Sequence, residues 1–71
     1  MRVVELEPHV VVKRVNRILQ AEGRTVHKAR GAAAEQVGFF VVRDGRIVKQ
    51  NINLEHLARE HGALREYEVV A

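Results

Sequence analysis

Residues 38–50 read GFFVVRDGRIVKQ. Two runs rich in β-branched and aromatic side chains flank the dipeptide Asp44-Gly45, which favours the left-handed backbone that a two-residue hairpin turn demands. The pattern predicts strands over 39–43 and 46–50 joined by a tight turn. In Phe39-Phe40-Val41-Val42, neighbouring side chains point to opposite faces, yet all four are apolar. A strand that is apolar on both faces is covered on both, which is the position of a central strand. A third strand is then needed on its far side. Residues 24–30 supply it, with Thr25, His27 and Ala29 alternating with Val26, Lys28 and Arg30.

The remaining elements follow from helical spacing and glycine punctuation. Val11, Val15, Ile18 and Leu19 form an apolar stripe and Gly23 offers a stop, predicting a helix over 11–22. Pro8 suits a helix start. The triplet Val10-Val11-Val12 opens a helix poorly, because β-branched side chains lose rotamer freedom there, so the start is placed near residue 11. Residues 32–37 read as a short helix between Gly31 and Gly38. Asn53 is a candidate N-cap for a helix over 54–61, in which Leu54, Leu57, Ala58 and His61 recur at three- and four-residue spacing. The tail from residue 63 is expected to return Leu64 and Tyr67 to the core. The expected fold is a small single α+β domain over 11–71, a three-stranded antiparallel sheet with three helices, preceded by a leader or edge strand over 1–10.

Seventy-one residues allow one domain, and a chain this short buries only about 60% of its unfolded surface. Scaffolds of this size often add a disulfide, a metal or an oligomeric contact. With no cysteine, a disulfide and thiolate metal sites are excluded. A hydrophobic content of 46% with 30% charged residues argues for a folded chain over a disordered one. No apolar run is long enough to span a membrane, and the N-terminus lacks a signal-peptide pattern, so a cytoplasmic protein is expected.

Several chemistries lack their residues. There is no serine, and Thr25 is the only threonine, so an activated hydroxyl or thiol nucleophile is disfavoured. Asp44 is the only aspartate and belongs to the turn. His56 and His61 stand five residues apart, about 140° around a helix, whereas a helical metal pair needs three or four, as in HExxH. His56 and Glu60 have i,i+4 spacing and read as a helix-supporting pair. His27 reads as filler on its strand. Neither GxGxxG nor GxxxxGK occurs. The turn Arg30-Gly31 leads into a helix whose first amides could attract an anion, a signal only two residues long. No catalytic residue, metal ligand or cofactor is expected. A fold that gathered His27 or His56 with a glutamate in one pocket would reopen a catalytic reading.

The charge is lopsided. The chain carries +3, and residues 13–30 alone hold six basic groups against Glu22. Lys13, Arg14, Arg17, Arg24, Lys28 and Arg30 are therefore candidate contacts to phosphates or an acidic partner. A solvated amphipathic face is the leading explanation of the same residues. Single-strand readers interleave cations with aromatic platforms, and the chain has only Phe39, Phe40 and Tyr67, none inside 12–31. A helix-turn-helix is excluded because the basic helix runs into a strand. The six cations act together only if the Lys28/Arg30 side of the strand lies beside the Lys13/Arg17 side of the helix.

The fragments VNRIL, KARG, GFFVVRDG and LAREHGALREYE, in that order, resemble a family of short uncharacterised bacterial proteins. The matching positions are Asn16-Arg17, Arg30-Gly31, Gly38 to Val42 and Leu64 to Glu68. The resemblance covers about residues 14–68, implies a folded domain, and brings no established activity with it.

These observations favour a non-enzymatic binding module. Its first expected mode is protein–protein interaction or homodimerisation through the apolar sheet face, with Phe39, Phe40, Val41 and Val42 as candidate interface residues. The alternative is sequence-nonspecific binding of a nucleic-acid phosphate backbone through the basic region 13–30. Neither mode involves a membrane or a small-molecule substrate.

Overall fold

The structure is a computed structural model and describes residues 2–71; Met1, the first residue of the expected leader, lies outside them. The elements run β1 (Val4–Leu6), α1 (Pro8–Leu19), a 3-10 turn (Gln20–Glu22), β2 (Arg24–Lys28), a second 3-10 turn (Gly31–Ala33), α2 (Ala34–Val37), β3 (Phe39–Arg43), β4 (Arg46–Ile52), α3 (Leu54–Glu60) and β5 (Glu68–Val70). Strands β2, β3 and β4 form an antiparallel sheet with β3 in the middle. The chain thus has the α+β architecture and the three-stranded sheet expected from the sequence. Asp44 and Gly45 both take positive φ, 53° and 76°, the signature of the two-residue turn that matches strand twist.

Helix α1 begins at Pro8, three residues ahead of the position expected from the valine triplet. Pro8 occupies the first turn, where its fixed φ is already helical and its missing N–H costs nothing. Val11, Val15 and Leu19 are each fully buried, and that burial outweighs the weak helix propensity of valine. Ile18, assigned to the same stripe, lies on the exposed side. The helix tightens into the 3-10 turn and stops at Gly23, whose φ of 73° is left-handed.

Helices α1 and α3 lie against the sheet face that carries Val26 and Val41. The core is Val11, Val15, Leu19, Val26, Val41, Leu54, Ala58 and Ala63, with Leu6, Phe39, Ile52 and Leu64 packed around it. The strand registers put Thr25, His27, Phe40, Val42 and Ile47 on the other face. The molecule is thin, with Cα extents of 39 × 29 × 15 Å, as expected for one helical layer on one sheet. Strand β4 slips register against β3 twice, between Phe39 and Val41 and between Val41 and Val42, and Asn51 takes a φ of 53° within it. Bulges of this kind twist an edge strand away from pairing with another chain.

The two ends of the chain are tied together. β1 pairs in parallel with β5, Val4 opposite Glu68 and Leu6 opposite Val70. Within the stretch expected as a leader or edge strand over 1–10, Val4–Leu6 form a strand. Tyr67, expected on the core, is largely exposed, whereas Leu64 packs against the core. Among the described residues no helix is long and apolar enough to cross a membrane.

Candidate anion-binding groove

Asn16 fixes the relation of α1 to β2. Its side-chain Nδ2 donates to the Val26 carbonyl at 3.1 Å, and its Oδ1 accepts from the Val26 N–H at 2.6 Å. The amide of Asn16 thereby stands where a neighbouring strand's peptide would, on the free edge of β2. An open edge pairs with other chains; here the middle of that edge is closed. The sequence signal was a single amide set beside the apolar stripe of α1, too small to read without the strand opposite.

With α1 held against the edge of β2, the N-terminal half of the helix and the end of the β2–β3 pair enclose a groove of about 750 Å³. Lys13 lines it from the helix, Lys28 from the strand and Arg30 from the residues just beyond the strand. Lys28 shares the helix-side face of β2 with Val26, which is why it comes beside Lys13. His9 and His27 also line the groove, Phe39 and Phe40 give it apolar wall, and Glu7 is its one carboxylate. The first turn of α1 opens onto it with no side-chain cap, and the positive end of the helix dipole there is opposed by the carboxylate of the N-cap residue, Glu7. A smaller depression, bounded by Lys13, Asn16, Arg17 and Gln20, shares two residues with the groove and extends it along the helix.

The six candidate cations therefore separate. Lys13, Lys28 and Arg30 meet in the groove, and Arg17 stands in the adjoining depression. Arg14 turns to the opposite side of α1, where one of its guanidinium nitrogens donates to both carboxylate oxygens of Glu68, at 2.9 and 3.1 Å, and to the Ala63 carbonyl at 3.3 Å. Arg24 pairs with Glu22 and is held out of the groove. That pairing, with the Arg24 guanidinium as hydrogen-bond donor, holds the Glu22 carboxyl below its ordinary value of 4.5.

The four candidate interface residues also divide. Val41 is 1% exposed and belongs to the core, and Phe39 packs beside it. Phe40 and Val42 look outward. Phe40 lies opposite His27 in the register, and their rings stack with centroids 5.6 Å apart and an interplanar angle of 28°.

No protein-family model, curated protein or solved structure matches this chain.

Glu7, His9 and His27 share the groove, the arrangement that would reopen a catalytic reading. Acid–base chemistry needs these groups within hydrogen-bonding reach of one another or of a common reacting atom. His27 instead places Nε2 2.8 Å from the Thr25 hydroxyl, its neighbour two residues back along the strand. Among the described residues no carboxylate bonds to its other ring nitrogen. His56 lies elsewhere, 2.8 Å from Glu60 on the exposed surface of α3. Among the described residues no group of three or more His, Asp or Glu side chains is placed to hold a metal ion. What the groove offers is a short row of cations against an aromatic wall, suited to holding an anion.

Proposed function

We propose that the protein is a non-enzymatic binding module that holds the phosphate backbone of a nucleic acid in the groove between α1 and β2. The observation that carries this reading is the meeting of Lys13 from the helix with Lys28 and Arg30 from the strand side in one groove. Cations gathered in one groove release counterions when they neutralise phosphates, and this release is the main source of affinity for a polyanion. The contacts are to phosphates, so the binding is sequence-nonspecific. Arg17 extends the row. Exchanging both groove residues, Lys28→Glu with Arg30→Glu, is expected to lower affinity for a short oligonucleotide by at least tenfold at low salt. Arg24→Gln, which touches a cation already engaged by Glu22, is expected to leave it within about twofold, since an exposed charge adds little at a distance. Equal losses in the two variants would refute the reading.

A homodimer built on the outer sheet face is a second reading with its own support. Phe40 and Val42 are half-buried there, and Ile47 is 53% exposed. A compact chain of this length exposes about 4,500 Å², whereas this one exposes 5314 Å². The excess of about 800 Å² reflects the thin two-layer body, 39 × 29 × 15 Å, whose outer sheet face has no covering layer. It ranks second because strand alternation turns Phe39 and Val41 to the helix side, which leaves Phe40 and Val42, with Ile47 beside them, to form the contact.

A further inference from the structure

We infer that the groove takes nucleic acid as a single strand, with an unpaired base stacking on the His27–Phe40 ring pair while the phosphates lie along Lys13, Lys28 and Arg30. This deepens the phosphate-backbone reading and rests on it. A polyanion groove alone needs only charge, and a surface so used has no reason to present rings. Here two rings are already stacked, 5.6 Å apart and 28° from parallel, and both line the same groove as the three cations. They belong to paired positions on adjacent strands, so the sheet backbone holds the platform in place before any ligand arrives. Cations beside aromatic rings on a sheet are the arrangement by which single strands are held without regard to sequence, because every base offers a π-face.

The placement also discriminates against a duplex. His27 and Phe40 project from the outer sheet face, whereas Lys28 and Lys13 lie on the helix side of β2. A ligand that touches both sets must pass its backbone along the edge of β2 and turn a base over that edge. A base free of its partner can do so, and a paired base is committed to the interior of its helix. The Asn16 amide already takes both backbone groups of Val26, so the ligand crosses the edge at its Lys28 end, beyond that closure. The groove volume of about 750 Å³ lies within the roughly 300–1,000 Å³ typical of small-ligand sites, room for an unpaired nucleotide.

The test compares a 12-nucleotide thymidine single strand, its 12-base-pair duplex and an inorganic polyphosphate of similar charge, all at low salt against the whole chain. The single strand is expected to bind most tightly. Phe40→Leu with His27→Ala is expected to lower its affinity about ten- to hundredfold, as loss of stacking does, while leaving polyphosphate binding within about twofold. Lys28→Glu with Arg30→Glu is expected to weaken all three ligands. Ring-proton chemical shifts of His27 and Phe40 in the unaltered protein give a readout that does not depend on the variants folding. They are expected to move upfield when the single strand is added and to stay in place with polyphosphate. If the three ligands bind alike and the rings do not shift, the single-strand inference is overturned while the phosphate reading stands. If none of the three binds, both are overturned.

Discussion

Glu68 shows how much one side chain can organise in a chain this small. It is 5% exposed, accepts from the Arg65 backbone N–H at 2.8 Å and from Arg14 at 2.9 Å, and its own carbonyl accepts from Arg59 at 2.6 Å. The Arg65 amide first, and the Arg14 guanidinium second, hold its carboxyl below the ordinary value of 4.5. A depressed carboxyl stabilises the fold above its unfolded-state value and loses that contribution as pH falls through the folded-state value. Glu68→Gln is therefore expected to lower the thermal midpoint by several degrees at neutral pH. The gap to the unaltered protein should close as the pH is taken well below 4.5, which thermal melts across pH 2–7 would check. This residue's role is not legible locally. Its cation partner, Arg14, stands 54 positions away, and nothing local in Tyr67-Glu68-Val69 announces a buried carboxylate. The same distance explains why Arg14 read as a groove cation: charge runs are visible in a sequence, but the direction of each guanidinium is set by a partner elsewhere.

At the level of elements, what could be read from local spacing emerged and what depended on long-range pairing did not. The Asp44-Gly45 turn lies within the residues it organises, so strands β3 and β4 and the central place of β3 were legible. Strands β1 and β5 have three residues each, too few to carry a period, and they pair across more than sixty positions of the chain. The contact between α1 and β2 lies between these cases. The apolar stripe and the strand were both readable, but the amide that locks them was not. Asn16→Leu should leave the Val26 N–H and C=O without partners at a half-buried site, costing about 1–3 kcal/mol. It should also reopen the β2 edge, so that light scattering rises with protein concentration. Chemical denaturation gives the first quantity; unchanged stability together with unchanged scattering would show that Asn16 is not the closure described.

The whole molecule is a thin two-layer body with one helical face, one open sheet face and a cationic groove along one edge of that sheet. The open face and the groove share Phe40 and His27, so a dimer formed on the outer face and a single strand bound at the groove would compete for the same rings. If the second reading holds, sedimentation at tens of micromolar gives twice the chain mass, and Val42→Glu returns it to one. The groove needs no second copy, since all of its cations come from one chain. The central claim is that Lys13, Lys28 and Arg30 act together on a polyanion, and salt dependence tests it most directly. For a fluorescent single-stranded oligonucleotide, three phosphate contacts are expected to give a slope of log affinity against log salt of about −2, or roughly a twentyfold loss between 50 and 200 mM salt. Lys28→Glu with Arg30→Glu should flatten that slope to between about −1 and 0. Absence of binding at low salt, or a slope that the double substitution leaves unchanged, would contradict the claim.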